Sequence, residues 1–539
     1  MISLLGLLAS IAAPVAPAPK PKLVLAIMID QFRPDYLQRF RPYFGRGGFN
    51  LFLERGANFA GARYEHAVTS TCPGHAVVLT GSYGNVNGIV NNDWYDAAAG
   101  REVYCAADSL VTLIGVQKEG RSPRNLIGNT VGDELKLASA GRSRVIAVAG
   151  KDRSAIMMGG HLADAAYWTV DTLLVTSTYY RKDLPAWARR FNASGVMSGY
   201  SGKVWERLLP VATYDAMGAD DVVGEENVGA RGRIFPHRLG EMAASVPSFV
   251  TSLEYSPFHN DVLAQFAMRA LVEEGLGRDA VPDLLAIGFS AIDRVGHAYG
   301  PNSQEVMDIA IRTDRLLERL FAFVDKQVGL ANTLIVLTAD HGVGPLPELM
   351  EALKPGAGAG HRVNPRAITA AVNARLDRRY GTLGTRWLLY HNPPWIYLNV
   401  PELERRRISV EEAEAEARAA VEKVQGVQQA ITATELRLLN QLPESPAALS
   451  FHPARSGNVY YSMRPYWLVE DHDTGASHGS QWSYDARVPL LWFGAGILPA
   501  TYTGTATVAD VAPTLSFLLG ISEPGGSRGR VLSEMLSQK

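Results

Sequence analysis

Only two cysteines, Cys72 and Cys105, occur in 539 residues, so at most one intrachain disulfide can form. An excess of one charge is also missing. Lys plus Arg number 52 against 54 Asp plus Glu, which leaves no field of one sign to attract nucleic acid or an anionic membrane surface. Beyond the N-terminus, no segment approaches the roughly 18 apolar residues of a membrane span, and no internal repeat or low-complexity domain is evident. These absences point to a globular protein whose partner is a small molecule. What is plentiful is apolar surface: 47% of residues are hydrophobic and 20% charged, enough to bury a large core against the entropy of folding.

The opening MISLLGLLASIAAPVAPAP is an apolar run that turns Ala- and Pro-rich, with small residues suited to signal peptidase around Ala16 to Ala18. It reads as an export signal over 1–19, which places the mature protein in the periplasm or outside the cell and leaves 20–539 as one elaborated catalytic domain. Pro14 and Pro17 shorten the run too far for comfortable membrane spanning.

Four unbroken apolar runs follow the pattern of strands buried on both faces: Lys22 to Asp30, Arg144 to Gly150, Asp283 to Asp293 and Thr333 to Asp340. Between the last two, Val306, Ile309, Ala310, Thr313, Leu317, Leu320 and Val324 recur at helical 3–4 spacing, which makes a βαβ unit. The expected fold is α/β, with a mostly parallel central sheet, helices on both faces and insertions over its carboxyl edge at about 160–257 and 345–480. Ser409 and Glu412 read as a capping box opening a charged helix through Val424. VPLLWFGAGI and DVAPTLSFLLG read as a final strand and helix.

In parallel sheets, ligands gather at the carboxyl ends of the strands. There the sequence offers Asp30, Asp293 with His297 in DRVGH, Asp340 with His341 in ADHG, and later His478 in SHGSQW. A single strand-end Asp is more often a cap or turn former, and a single His more often a satisfied interior residue. Three Asp and three His converging on one edge are a different matter. Mixed carboxylate and imidazole suits zinc better than calcium or magnesium, and six ligands are enough for two metals.

Thr71, in VTSTCPGHAVVLTG, precedes a Pro-Gly turn and a short apolar helix whose first N–H groups can hold an anion. Alone it would read as an N-cap; beside two metals it reads as a nucleophile. Lys151 and Arg153, alternating around Asp152, are candidate cations for phosphoryl oxygens. Asn92 is a candidate amide donor, with Asn91 beside it as a rival.

In order along the chain, IDQFRPDY, TCPGH, NNDWYD, GKDR, DRVGH, ADHG and SHGS resemble the alkaline phosphatase superfamily, specifically its bacterial exported, threonine-using, phosphate-irrepressible members. The resemblance runs from Lys22 to about Leu532. It implies two zinc ions per chain, one held by Asp293, His297 and His478 and the other by Asp30, Asp340 and His341, with Thr71 bound to the second. It further implies that Asn92, Lys151 and Arg153 contact phosphoryl oxygens, the two cations marking monoesterases.

The activity so implied is zinc-dependent hydrolysis of phosphate monoesters through a phosphothreonine, with an alkaline optimum and a monomeric chain. A dianionic monoester presents an additional charged oxygen to the cations, whereas a diester carries a second substituent there. A disulfide between Cys72 and Cys105 and two separate thiols both remain open. One alternative is a phosphodiesterase or nucleotide pyrophosphatase of the same fold. An alternative of another class is a noncatalytic zinc- or phosphate-binding protein. A sulfatase is disfavoured because Cys72 is followed by Pro73, Gly74, His75 and Ala76, without the Cys-x-Pro-x-Arg pattern.

Overall fold

Successive side chains of a strand point to opposite faces, so a strand buried at every position must be covered on both sides. Leu23–Ile29, Val145–Ala149, Asp283–Phe289 and Thr333–Thr338 are all buried at every position. The computed structural model describes residues 20–537 apart from 231, 354–359, 383, 385 and 440–444; the expected signal over 1–19 lies outside the described residues.

Leu23–Ile29 lies near the middle of an eleven-stranded sheet, parallel to Asp283–Phe289 on one side and to Thr333–Thr338 on the other. Val145–Ala149 and then Ala165–Val170 continue the parallel set beyond Asp283–Phe289. Five adjacent parallel strands therefore share one carboxyl edge. Antiparallel strands flank them: Leu490–Phe493 pairs with Thr333–Thr338, and Leu173–Ser177 with Ala165–Val170. Helices Asp152–Gly159 and Pro257–Glu273 pack against the central strands, and the amphipathic helix expected around Val306 to Val324 spans Gln304–Gln327. The last helix spans Val511–Leu519.

The apolar run that begins at Asp283 changes conformation before its end. The strand stops at Phe289, and Asp293 lies in the first turn of helix Ala291–Tyr299. An apolar run alone does not separate a buried strand from the buried helix that follows it. The segment expected to cover the sheet over about 160–257 also builds it, because Ala165–Val170 and Leu173–Ser177 are sheet strands. Over about 345–480 the chain forms a four-stranded antiparallel sheet from Leu388–Asn392, Trp395–Leu398, Val459–Met463 and Val427–Thr432. Helices Pro365–Tyr380 and Val410–Val421 pack with it around a second apolar core that includes Ile368, Ile396, Ala417 and Val459. Ser409 caps the second helix by accepting the Glu412 N–H, one half of the expected capping box, and the helix ends at Val421 rather than Val424.

Candidate active site

The shared carboxyl edge delivers the polar residues to one place. Asp30 follows the Leu23 strand, Asp340 and His341 follow the Thr333 strand, and Lys151 follows the Val145 strand as the N-cap of helix Asp152–Gly159. Asp293 and His297 stand one helical turn apart on Ala291–Tyr299, a spacing that brings both to one face. His478 arrives on a loop.

Each histidine is oriented by a backbone carbonyl. Nδ1 of His297 lies 2.7 Å from the Ala476 oxygen, that of His341 2.9 Å from the Gly342 oxygen, and that of His478 2.8 Å from the Thr69 oxygen. A carbonyl only accepts, so Nδ1 carries the proton and Nε2 is left with its lone pair, the arrangement a metal-binding imidazole needs. Those Nε2 atoms lie 3.4, 4.0 and 3.8 Å from Asp293 Oδ1 for His297, His341 and His478 respectively. His341 Nε2 is also 3.2 Å from Asp340 Oδ2, and it therefore stands between the two ligand groups expected from the sequence. Asp340 Oδ2 and His341 Nε2 are buried without a hydrogen bond. Buried polar atoms left unpaired are costly, and a divalent cation would satisfy both; the imidazole and carboxylate donors fit zinc.

The charges reinforce one another. Burial alone would raise Asp30, but Lys151 and His75 outweigh it and hold the carboxyl below the usual carboxylate range. Asp293 is likewise held well below that range against its burial, by Lys151 and His297. Burial and the neighbouring His341 and His297 push His478 well down, towards its neutral form.

Thr71 is the first residue of helix Thr71–Thr80 and is buried. The Pro-Gly pair expected to form a turn after it lies inside that helix. Pro73 fits because the first helical N–H groups have no intrahelical acceptor, so its missing donor costs nothing there. Gly74 is needed because a Cβ would come within 2.3 Å of the Asp340 carbonyl oxygen. That close approach sets the nucleophile candidate against the metal-ligand candidates. The helix start is also less open to an anion than expected: the Cys72 N–H is donated to Asn92 Oδ1 at 2.8 Å, and the Gly74 N–H to the Ser70 oxygen at 2.9 Å.

Asn91 and Asn92 have separate tasks. Asn91 Oδ1 accepts the Asn92 N–H at 2.8 Å and its Nδ2 donates to the Pro393 oxygen at 3.1 Å. Asn92 begins a hairpin, Asp93–Asp96 with Arg101–Tyr104, that ends at Cys105. Cys105 forms a disulfide with Cys72. Asn92 is thereby tied to the Thr71 turn by a side-chain hydrogen bond and by a covalent bridge.

Lys151 Nζ sits between the two ligand groups, 2.9 Å from Asp30 Oδ2 and 2.6 Å from Asp293 Oδ2. Arg153 leans on the hairpin, with Nη1 3.4 Å from the Tyr104 hydroxyl. That hydroxyl donates to Asp152 Oδ1 at 2.5 Å, and Arg121 Nε donates to the other Asp152 oxygen at 2.8 Å. Arg121, Asp152 and Tyr104 thus form a platform beneath Arg153.

Two residues of the site went unassigned in the sequence reading. His75 Nε2 is 3.3 Å from Asp30 Oδ1, and its Nδ1 donates to the Thr71 carbonyl at 2.9 Å. Its one available signal was its place four residues after Thr71 within TCPGH. Asp485 accepts the Ser480 N–H at 3.0 Å and the Ser480 hydroxyl at 2.5 Å, which fixes the loop that carries His478. Burial pushes its carboxyl up to about 7. No local pattern marks it.

A family model described as type I phosphodiesterase / nucleotide pyrophosphatase matches residues 24–485. Alkaline phosphatase PhoV of Synechococcus elongatus is 34% identical, over 96% of this chain and 93% of the relative. Alkaline phosphatase PafA of Elizabethkingia meningoseptica is 32% identical, over 96% and 95%. The crystal structure of wild-type PafA superposes with a TM-score of 0.90 at 31% identity, covering 97% of this chain and all of that one. Human ectonucleotide pyrophosphatase / phosphodiesterase 5 shares the fold at a TM-score of 0.54 and 15% identity, covering 96% of this chain and all of that one.

Proposed function

Because the chain belongs to the type I phosphodiesterase / nucleotide pyrophosphatase family, and within it matches alkaline phosphatases along nearly its whole length, we propose that it is an alkaline phosphatase that hydrolyses phosphate monoesters through transient phosphorylation of Thr71. The observation that supports this reading is the convergence of Asp30, His75 and Asp340 in one cluster and of Asp293, His341 and His478 in another, with His297 Nε2 3.4 Å from Asp293 and His341 Nε2 3.2 Å from Asp340.

In the proposed assignment Asp30, Asp340 and His341 would hold one zinc ion and Asp293, His297 and His478 the other, with Thr71 a ligand to the first. Two such ions, when bound, would supply Lewis-acid stabilisation of the attacking and departing oxygens. Thr71 Oγ1, having lost its proton to solvent, forms the new bond to phosphorus as the bond to the leaving group breaks, and the departing alkoxide takes up a proton from solvent. Water then attacks the phosphothreonine, which releases phosphate and restores the hydroxyl. Asn92 Nδ2, Lys151 and Arg153 offer donors to the nonbridging oxygens throughout. The attacking form of Thr71 is its alkoxide, so the rate rises towards alkaline pH. The Cys72–Cys105 disulfide supports a location outside the reducing cytoplasm, the periplasm or the medium. No helix among the described residues is long and apolar enough to cross a membrane.

A phosphodiesterase is the second reading, favoured by the description of the family model itself. The two are separated by steady-state hydrolysis of an aryl phosphate monoester and its methyl diester by zinc-loaded protein, with a Lys151→Ala/Arg153→Ala variant alongside. A strong monoester preference that collapses in the variant supports the assignment. Preference for the diester transfers the protein to the second reading and removes the role given to the two cations.

A further inference from the structure

Directly after Asp30 the backbone does something a glutamine rarely does: Gln31 has φ +65°, in the left-handed region, and is buried. Such strain persists only where the surroundings hold it, and it collects at functional sites. Here it gives Gln31 two simultaneous contacts. Its N–H donates to Asp340 Oδ1 at 3.0 Å and its side-chain Nε2 donates to Asp293 Oδ1 at 3.1 Å. Asp340 and Asp293 belong to different ligand groups, the first just after strand Thr333–Thr338 and the second on helix Ala291–Tyr299.

The contacts also fix which oxygens are free. With Oδ1 of Asp340 engaged by the N–H groups of Gln31 and His341, Oδ2 remains buried and unpaired, facing His341 Nε2. The same helix, Ala291–Tyr299, that carries Asp293 also approaches the oxygen end of the Gln31 amide. A Cβ on Gly296 would come within 1.9 Å of Gln31 Oε1, so only glycine leaves room for the side chain. Position 296 lies between Asp293 and His297, the two ligand candidates on that helix.

We propose that Gln31 is a positioning residue that sets the two metal-ligand groups relative to each other, its backbone aligning Asp340 and its side chain aligning Asp293, with Gly296 as the gap that admits it. The two halves of the role separate by substitution. Gln31→Gly keeps the left-handed backbone, without strain, and keeps the N–H to Asp340, but it removes the amide from Asp293. The Asp293/His297/His478 group is therefore affected and the Asp30/Asp340/His341 group is not. Gly296→Ala expels the same amide while leaving residue 31 intact. This inference rests on the proposal that both groups hold metal.

The test is zinc titration of metal-stripped protein by calorimetry, with retained zinc counted by elemental analysis after dialysis against graded chelator. Wild type, Gln31→Gly, Gly296→Ala and the double variant are compared. Loss of an oriented contact to a ligand weakens metal binding by about 10–100-fold. We expect one of the two zinc equivalents to weaken to that extent in each single variant while the other is unchanged. The double variant should be no worse than Gln31→Gly, because both substitutions remove the same contact. The unfolding midpoint of metal-free Gln31→Gly should not fall below wild type, which separates positioning from a general loss of stability. Wild-type affinity at both sites in Gln31→Gly, or full additivity in the double variant, would overturn the proposal and leave the metal assignment standing. Failure of the wild type itself to bind two zinc ions would overturn both.

Discussion

Asn92 accepts the backbone N–H of Cys72 through its side-chain oxygen at 2.8 Å, which leaves its amide nitrogen as the end available to a substrate. Asn92→Asp keeps the acceptor and replaces the donor by a negative charge. A hydrogen bond to a charged group contributes about 1.5–3 kcal/mol, so kcat/KM for a phosphate monoester should fall by at least about 10-fold with little change in unfolding temperature. Steady-state kinetics alongside a thermal melt checks this. A melt lowered as far as the activity would make Asn92 a residue of the fold alone.

The bridge between Cys72 and Cys105 spans 33 positions of the chain. Closing a loop of that length restrains the unfolded chain by about 3–4 kcal/mol in the loop-entropy account. A Cys72→Ala/Cys105→Ala variant should lose about that much stability in urea unfolding. Reductant should destabilise the wild type to a similar degree and leave the variant unchanged.

Tyr104 joins Asp152 to Arg153 through one hydroxyl oxygen. Tyr104→Phe removes that atom and keeps the ring, while Asp152 keeps its contact with Arg121. If Arg153 neutralises a monoester oxygen, kcat/KM for the monoester should drop by about 5–30-fold, the equivalent of one hydrogen bond of about 1–2 kcal/mol. The diester rate should change less. Equal loss on both substrates would remove Arg153 from the discrimination.

Burial, with Asp221 and Asp220 nearby, pushes the Glu225 carboxyl up to about 8 against the Val222 N–H that it accepts. Between its ordinary range near 4.5 and about 8, the native state holds a proton that the unfolded chain has released. Stability from the neutral acid is therefore fully present at low pH and is lost as pH rises through about 8. Glu225→Gln should leave the melting temperature unchanged near pH 4.5, raise it increasingly up to about pH 8 and keep a constant gain above that. A pH series of thermal melts on both proteins tests the sign, and a gain confined to acid pH would contradict it.

The strand ends were legible because full burial writes itself as unbroken apolar runs, and the polar residue that closes each run is then conspicuous. Asp30 and Asp340 were found that way, and Asp293 was found on the right edge although it stands on a helix. The partnership of Gln31 with Asp340 and Asp293, and of Asp485 with the His478 loop, left no local trace. The Gln31 contacts join segments hundreds of residues apart through a backbone angle that composition does not encode, and the Asp485–Ser480 contact, though local, lies in a loop with no periodic pattern. Pattern reading also undercounted architecture between 345 and 480. There the apolar residues serve a separate core, and their short strands are interleaved with helices that carry surface charge on one face.

The ligand candidates run from residue 30 near one end of the chain to residue 478 near the other. A chain emerging from the ribosome or threading through a pore therefore completes the Asp30/Asp340/His341 group at residue 341 but the Asp293/His297/His478 group only at residue 478. A fragment truncated before 478 still has Asp30, Asp293, His297, Asp340 and His341, but one wall of the site is missing. On the proposed assignment, the second metal would be the last to find its full set of ligands.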